Sequence, residues 1–225
     1  DVILYFLFIF WYILFGDKML IDELKDFFYK SIDDYTRWHQ TLSEASTVKL
    51  DTLKDITFPF ANKRQGQSEL MKATYLTMKA NSILYAIAPT GIGKTMATIL
   101  STVKSMTKPN EKLFYLTAKT IGREVAIDSF RMLQNEGLKL HAIVISSKAK
   151  SCASKMQHCD PEKCSFAKGY FSRLRQAIED IYTNEILYNQ ETIMKYALKY
   201  NICPFEYSLD LSYFCDAIIC DYNYV

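Results

Sequence analysis

SILYAIAPTGIGKTMATIL, residues 82–100, decides how this chain folds. Its first seven residues, 82–88, are a compact run rich in β-forming apolar side chains, as a buried strand requires. Gly91 and Gly93 follow within a short loop, and MATILSTVKSM then places apolar residues at helical spacing. In that strand–loop–helix setting Ala88-Pro89-Thr90-Gly91-Ile92-Gly93-Lys94-Thr95 reads as a phosphate-binding loop, with Ala88 where the first glycine usually stands. Gly91 and Gly93 let backbone N–H groups turn inward around phosphates without Cβ interference. Lys94 would carry a compact positive charge to the β- and γ-phosphates, and the Thr95 hydroxyl would ligate Mg²⁺. The helix that follows would point its positive end at the same phosphates. The loop alone does not separate a kinase, a transporter ATPase, a GTPase and a helicase.

Outward from the loop, strands and helices alternate. KLFYLTA (112–118) reads as a second strand, GREVAIDSFRMLQNEG as a helix closed by Gly137, and LHAIVISS (140–147) as a third strand. Such alternation predicts an α/β fold with a parallel sheet and right-handed crossovers. Upstream, GQSELMKATYLTMKAN predicts a helix over about 66–81, and 47–62 reads as a connector ending in Thr57-Phe58-Pro59-Phe60. Residues 20–46 place Leu20, Leu24, Phe27, Phe28, Ile32, Tyr35, Trp38 and Leu42 at three- to four-residue intervals, an amphipathic helix. After Ser147 the alternation breaks: 148–170 is polar and Cys-bearing, 171–201 is helical, and the next apolar strand is AIIC, 217–220. A segment is therefore inserted between two sheet strands.

Composition supports a packed core and little else that is specific. Of 225 residues 49% are hydrophobic, with only seven Gly and five Pro against sixteen Tyr and fourteen Phe, which argues against linkers and disorder. The net charge of +2 hides an asymmetry: residues 104–175 hold fourteen Lys/Arg against six Asp/Glu, and 176–225 hold two against eight. A basic centre suits a polyanion. The chain begins without Met, and Val2–Phe15 is a 14-residue apolar run. That is short of the roughly 20 residues a bilayer span needs, and it has no basic n-region or cleavage site. It reads as part of a truncated upstream domain or a damaged reading frame. The expectation is a cytoplasmic fragment with no membrane anchor.

KSCASKMQHCDPEKC, 150–164, gathers Cys152, Cys159 and Cys164, and Cys203 follows in NICPFEYSLDLS. The gaps of six, four and 38 residues contain no Cys-x2-Cys pair of the kind zinc favours, whereas a polynuclear cluster tolerates long spacings. On spacing alone zinc and an iron–sulfur cluster both stay open. Disulfides do not suit an intracellular nucleotide-binding protein. Cys215 and Cys220, in YFCDAIIC, read as small buried residues. Asp221 ends an apolar strand, where a Mg²⁺-binding carboxylate often sits. Tyr222 rather than Glu follows it, so Asp221 is not placed among catalytic residues.

Four elements in the expected order carry a family resemblance, the phosphate loop being one of them. Lys63-Arg64-Gln65-Gly66-Gln67-Ser68-Glu69-Leu70-Met71 resembles the glutamine element of superfamily 2 helicases, which implies that Gln67 reads the adenine edge with its amide. LFYLTAKTIGREV, 113–125, resembles the next helicase element, which implies that Thr117, Lys119 and Thr120 contact single-stranded DNA phosphates. The cysteine set resembles that of the iron–sulfur superfamily 2 DNA helicases, the XPD and DinG group. Cys-Pro-Phe-Glu at 203–206 and Asp-Tyr-Asn-Tyr-Val at 221–225 look like a bacterial branch of it.

The resemblance covers roughly Phe58 to Val225. It implies a RecA-like P-loop NTPase sheet, incomplete here, with a mostly helical Cys-rich insert holding a [4Fe–4S] cluster on Cys152, Cys159, Cys164 and Cys203. It also implies ATP, Mg²⁺ and single-stranded or forked DNA as ligands, with translocation mostly 5′ to 3′. The expected divisions are 1–56, a hydrophobic and helical segment resembling the remnant of a nuclease-like domain; 57–147, the ATP-binding part of the motor; 148–210, the insert; and 211–225, a return strand. Lys148, Lys150, Lys155, Lys163, Lys168, Arg173 and Arg175 would flank the DNA path. No Asp-Glu-Ala-His motif occurs in these residues, so binding with negligible turnover is expected. Two alternatives stand beside this reading: a zinc-stapled P-loop DNA-binding module, and another P-loop NTPase such as a kinase.

Overall fold

The computed structural model describes residues 21–118, 120–154 and 159–224, so the apolar run Val2–Phe15 lies outside the described residues. The chain divides into two compact units, Asp1–Ser46 and Thr47–Val225. Helix α1 (Ile21–Asp55) contributes to both. In the first unit it buries Leu24 and leaves Phe27, Ile32 and Tyr35 exposed.

The second unit is built on four short strands, β1 (Leu113–Thr117), β2 (Ala142–Val144), β3 (Leu187–Tyr188) and β4 (Ala217–Asp221). They pair in the order β1-β4-β2-β3, every pair parallel. This is an incomplete RecA-like α/β fold. Every residue of β2 is buried, as are the first four of β4, so AIV and AIIC read as unbroken apolar runs. That is the pattern of parallel strands covered on both faces. Helices α3 (Lys94–Ser105) and α4 (Thr120–Asn135) bring Ile99, Leu100, Val103, Phe130 and Leu133 into one core with Leu140, Ala142, Val144, Ala217 and Ile219.

Three expectations need correction. The strand expected over 82–88 has no pairing partner among the described residues: Ile83 and Tyr85 are 79% and 91% exposed, and Ile87 is fully so. A strand exists only in a ladder, and an apolar run without a neighbour stays extended but unpaired. The connector expected over 47–62 is helical to Asp55, because Leu53 and Ile56 keep helical spacing and reach the core. The stretch expected to be helical over 171–201 is two helices, α6 (Tyr170–Asn184) and α7 (Gln190–Tyr200), with β3 interrupting them. Asn189 restarts the second by accepting a bond from Thr192 N at 2.8 Å. Through β3, Leu187 and Tyr188 pair with Ala142 and Ile143, so the inserted segment sends a strand back to the sheet.

The entry edge of the sheet is pinned by a buried polar cluster. Lys49, 2% exposed, donates to Asp216 Oδ1 at 2.5 Å and to the Pro109 carbonyl at 2.7 Å. The other Asp216 oxygen accepts from His141 N at 3.0 Å. The His141 ring stacks on Tyr182 with centroids 4.0 Å apart and bonds Tyr188 through Nδ1. Burial lowers the His141 pKa to about 4, outweighing the opposing pull of Asp216. A folded-state value below the unfolded one means that His141 supports the fold fully above pH 6.5. That support fades as pH falls towards 4. The expected loss is on the order of 2 kcal/mol between those limits. Denaturant titrations at stepped pH check it, and His141→Phe should flatten that part of the profile.

No helix among the described residues is long and apolar enough to cross a membrane.

Candidate nucleotide site, thiol cavity and sheet edge

The loop before α3 turns on two glycines in the left-handed region, Gly91 at φ 87° and Gly93 at φ 77°. Helix α2 (Gln67–Lys79) packs against α3. The Gln67 amide donates from Nε2 to the Gly93 carbonyl at 3.3 Å, and its Oε1 accepts from Arg64 N at 3.0 Å. A Cβ at Gly93 would meet the end of the Gln67 side chain, which would have to shift. The Arg64 guanidinium bonds the Gly91 carbonyl. The Lys94 ammonium rests on the Ala88 and Pro89 carbonyls at 3.1 and 2.7 Å. Tyr115 OH donates to Thr95 Oγ1 at 3.3 Å.

Gln67, Thr90, Gly91, Gly93, Lys94 and Thr95 share one cleft of about 1090 Å³, whereas Ala88, Pro89 and Ile92 line a neighbouring one. Gln67 thus spends one end of its amide on the loop and the other on the turn before its own helix, a supporting position that the sequence did not suggest. The apolar wall of the main cleft includes Phe58 and Phe60, ring centroids 5.4 Å apart, and Met96. Thr57-Phe58-Pro59-Phe60 had read only as the end of a connector, and two aromatics two residues apart were the available signal. Lys94→Ala is expected to weaken Mg·ATP binding about ten- to a hundredfold, since a charge-assisted phosphate contact goes. Calorimetric titration checks it. Unfolding should stay unchanged because the side chain is exposed at a helix start.

Cys152, Cys159, Cys164 and Cys203 line a single cavity of about 310 Å³. Cys152 ends the short α5 (Lys148–Ser151), Cys164 closes a turn by bonding N to the Asp160 carbonyl at 2.9 Å, and Cys203 caps α8 (Pro204–Ser212). Cys152 and Cys159 are exposed, Cys203 half-buried and Cys164 buried. Burial pushes the Cys203 thiol up, while the N–H groups of Glu206 and Phe205 pull it down. Lys148 reaches the same place: its pKa is raised first by a hydrogen bond to Cys159, and its Nζ lies 3.4 Å from Glu206 Oε1. Among the described residues no three His, Cys, Asp or Glu side chains converge closely enough to hold one metal ion. The thiols surround a cavity rather than a point. Cys215 and Cys220 are buried away from it, and Cys215 Sγ donates to the Leu211 carbonyl at 3.3 Å.

At the C-terminal edge of the sheet, Thr117 and Asp221 end adjacent strands in register. Lys119 lies outside the described residues, as does the side chain of Thr120, which opens α4. Arg123, one turn into that helix, donates from Nη2 to Asp221 Oδ1 at 2.6 Å and from Nη1 to Ser146 Oγ at 3.2 Å. Asp221 is therefore engaged in an ion pair, a partnership 98 residues long that pattern reading could not find.

Residues 129–225 match the DEAD_2 family model. The match covers under half of the chain and is a likeness of this part to that family. No curated protein matches the chain. The DEAD_2 segment contains β2, β3, β4 and all four cavity cysteines, while the phosphate loop and β1 precede it. Within that segment the basic residues are more engaged than their number suggested. Lys163 pairs with Asp160 at 3.1 Å and Arg175 with Glu179 at 2.8 Å. Arg173 bonds the carbonyls of Lys168 and Asn201, both at 2.8 Å. Lys155 lies outside the described residues.

Proposed function

We propose that the chain is the ATP-binding part of the first motor of an ATP-dependent DNA helicase of the iron–sulfur, XPD/DinG-like kind. In this reading 57–147 is the motor portion, 148–210 the cluster-bearing insert, 211–225 the return strand and 1–56 a preceding segment. Backbone amides around Gly91 and Gly93 cradle the phosphates of ATP, Lys94 swings from its loop carbonyls to the β- and γ-phosphates, and Thr95 holds Mg²⁺. Tyr115 orients the Thr95 hydroxyl, and Gln67 braces the loop at the Gly93 carbonyl. Single-stranded DNA crosses the C-terminal edge of the sheet at Thr117, Lys119 and Thr120, held by sequence-independent, salt-sensitive contacts.

The observation that carries this reading is the common cavity of Cys152, Cys159, Cys164 and Cys203 in a chain with a phosphate loop. The donor set fits a [4Fe–4S] group, which takes four thiolates. Four thiols around about 310 Å³ suit a polynuclear cluster better than one Zn²⁺, whose sulfurs meet about 2.3 Å from a single point. When bound, the cluster would tie three loops of the insert together. Lys148 would hydrogen-bond Cys159, and the first N–H groups of α8 would face Cys203. Protein purified without oxygen should carry about four iron and four sulfide per chain with visible absorption. Colourless protein with one zinc per chain would replace this reading with the zinc-stapled module.

A further inference from the structure

At the C-terminal edge of the sheet, two polar side chains are almost wholly buried yet incompletely used. Thr117 is 8% exposed and Arg123 5%. Among the described residues neither Thr117 Oγ1 nor Arg123 Nε has a hydrogen-bond partner. Buried donors without partners are uncommon, and leaving one unmade costs about 1–3 kcal/mol. The two belong to one place. Thr117 lies across the ladder from Asp221, Asp221 binds the Arg123 guanidinium, and the Thr117 methyl faces Gly122 beside Arg123. Both also stand at the start of α4, a sixteen-residue helix whose first N–H groups favour an anion.

A guanidinium takes carboxylate and phosphate by the same fork of parallel N–H groups. Here the fork is split. One Nη goes to Asp221, the other to the neutral Ser146, and Nε goes to nothing described. Asp221 is 35% exposed at its side chain, so it can leave for water, whereas Arg123 at 6% cannot. We propose that Thr117 and Arg123 form a binding site for one backbone phosphate of a single strand, and that Asp221 is its built-in competitor. The phosphate takes the two unpartnered donors and displaces the carboxylate, so a strand must outbid an internal anion before this contact forms. The inference deepens the proposed DNA contact at this edge, on which it rests, by adding Arg123 as a ligand and Asp221 as a gate.

The test is binding of an oligothymidylate strand across a salt series, with inorganic phosphate as a separate titrant. Asp221→Asn should tighten strand binding roughly threefold or more at low salt and steepen the log–log salt slope by about one. Arg123→Gln should flatten the slope by about one, and Asp221→Asn should gain nothing in that background. Arg123→Lys, which keeps the charge and loses the fork, guards against a folding failure of the Gln variant and should also lose most of the gain. If the original chain binds the strand steeply and Asp221→Asn matches it, the gate is wrong while the DNA reading stands. A gain that persists in the Arg123→Gln background overturns it too. No strand binding by either protein overturns both proposals. Asp221-dependent binding of inorganic phosphate, with strand affinity unmoved, assigns the site to a free anion and overturns the strand assignment.

Discussion

On the proposed cluster reading, Cys203→Ser is expected to leave the purified protein nearly free of iron and visible absorption, while Cys215→Ser keeps both. The two cysteines are twelve positions apart, and the sequence pattern already sets Cys203 among the ligands and Cys215 in an apolar run. The structure separates them. Cys203 caps α8 on the wall of the cavity shared with Cys152, Cys159 and Cys164. Cys215 is fully buried in apolar surroundings, which pushes its thiol well up, and its Sγ bonds Leu211 in the same chain segment. A serine hydroxyl is a poor replacement for thiolate on iron, and one missing corner exposes the cluster to solvent. Iron and sulfide assays on the two variants, prepared side by side without oxygen, give the answer. Iron retained in Cys203→Ser, or lost in Cys215→Ser, would contradict the ligand set.

Lys49→Ala should cost about 3–5 kcal/mol of unfolding free energy, the largest stability effect expected of one surface-distant charge. The ammonium is 2% exposed and bonds both Asp216 and the Pro109 carbonyl. Removing it strands a carboxylate whose side chain is only 17% exposed and which also fixes His141 N at the head of β2. Two central strands, β2 and β4, start at that carboxylate, so the loss falls on the sheet rather than on a helix end. For a domain of this size the midpoint should drop by roughly 10 °C. Asp216→Asn combined with Lys49→Met should recover much of the loss, because the penalty comes from the unpaired charge and not from a missing attraction. A single-variant cost below about 1 kcal/mol would show that water reaches the pair.

Legibility in the sequence followed the range over which each feature is determined. Strands β1, β2 and β4 were visible because each is an apolar run set by its own residues. The phosphate loop was visible because Gly91, Gly93, Lys94 and Thr95 are adjacent. Strand β3 has two residues, too few for any period to show, and it exists because Ala142 and Ile143 offer a free edge. The run 82–88 has every local mark of a strand and lacks only a neighbour. The Gln67 amide stands out in the sequence, yet its bond to the Gly93 carbonyl depends on how α2 docks. The Lys49–Asp216 and Arg123–Asp221 pairs span 167 and 98 positions, and no pattern in composition or spacing points to them.

The uncovered run Ile83, Tyr85 and Ile87 has a colloidal consequence. An exposed apolar segment with no pairing partner among the described residues is a template for pairing with its like in another molecule. The 225 residues studied alone should therefore self-associate as concentration rises, and light scattering should grow before any helix melts. Ile83→Lys with Ile87→Glu, which put opposite charges on that ribbon, should keep the protein dispersed.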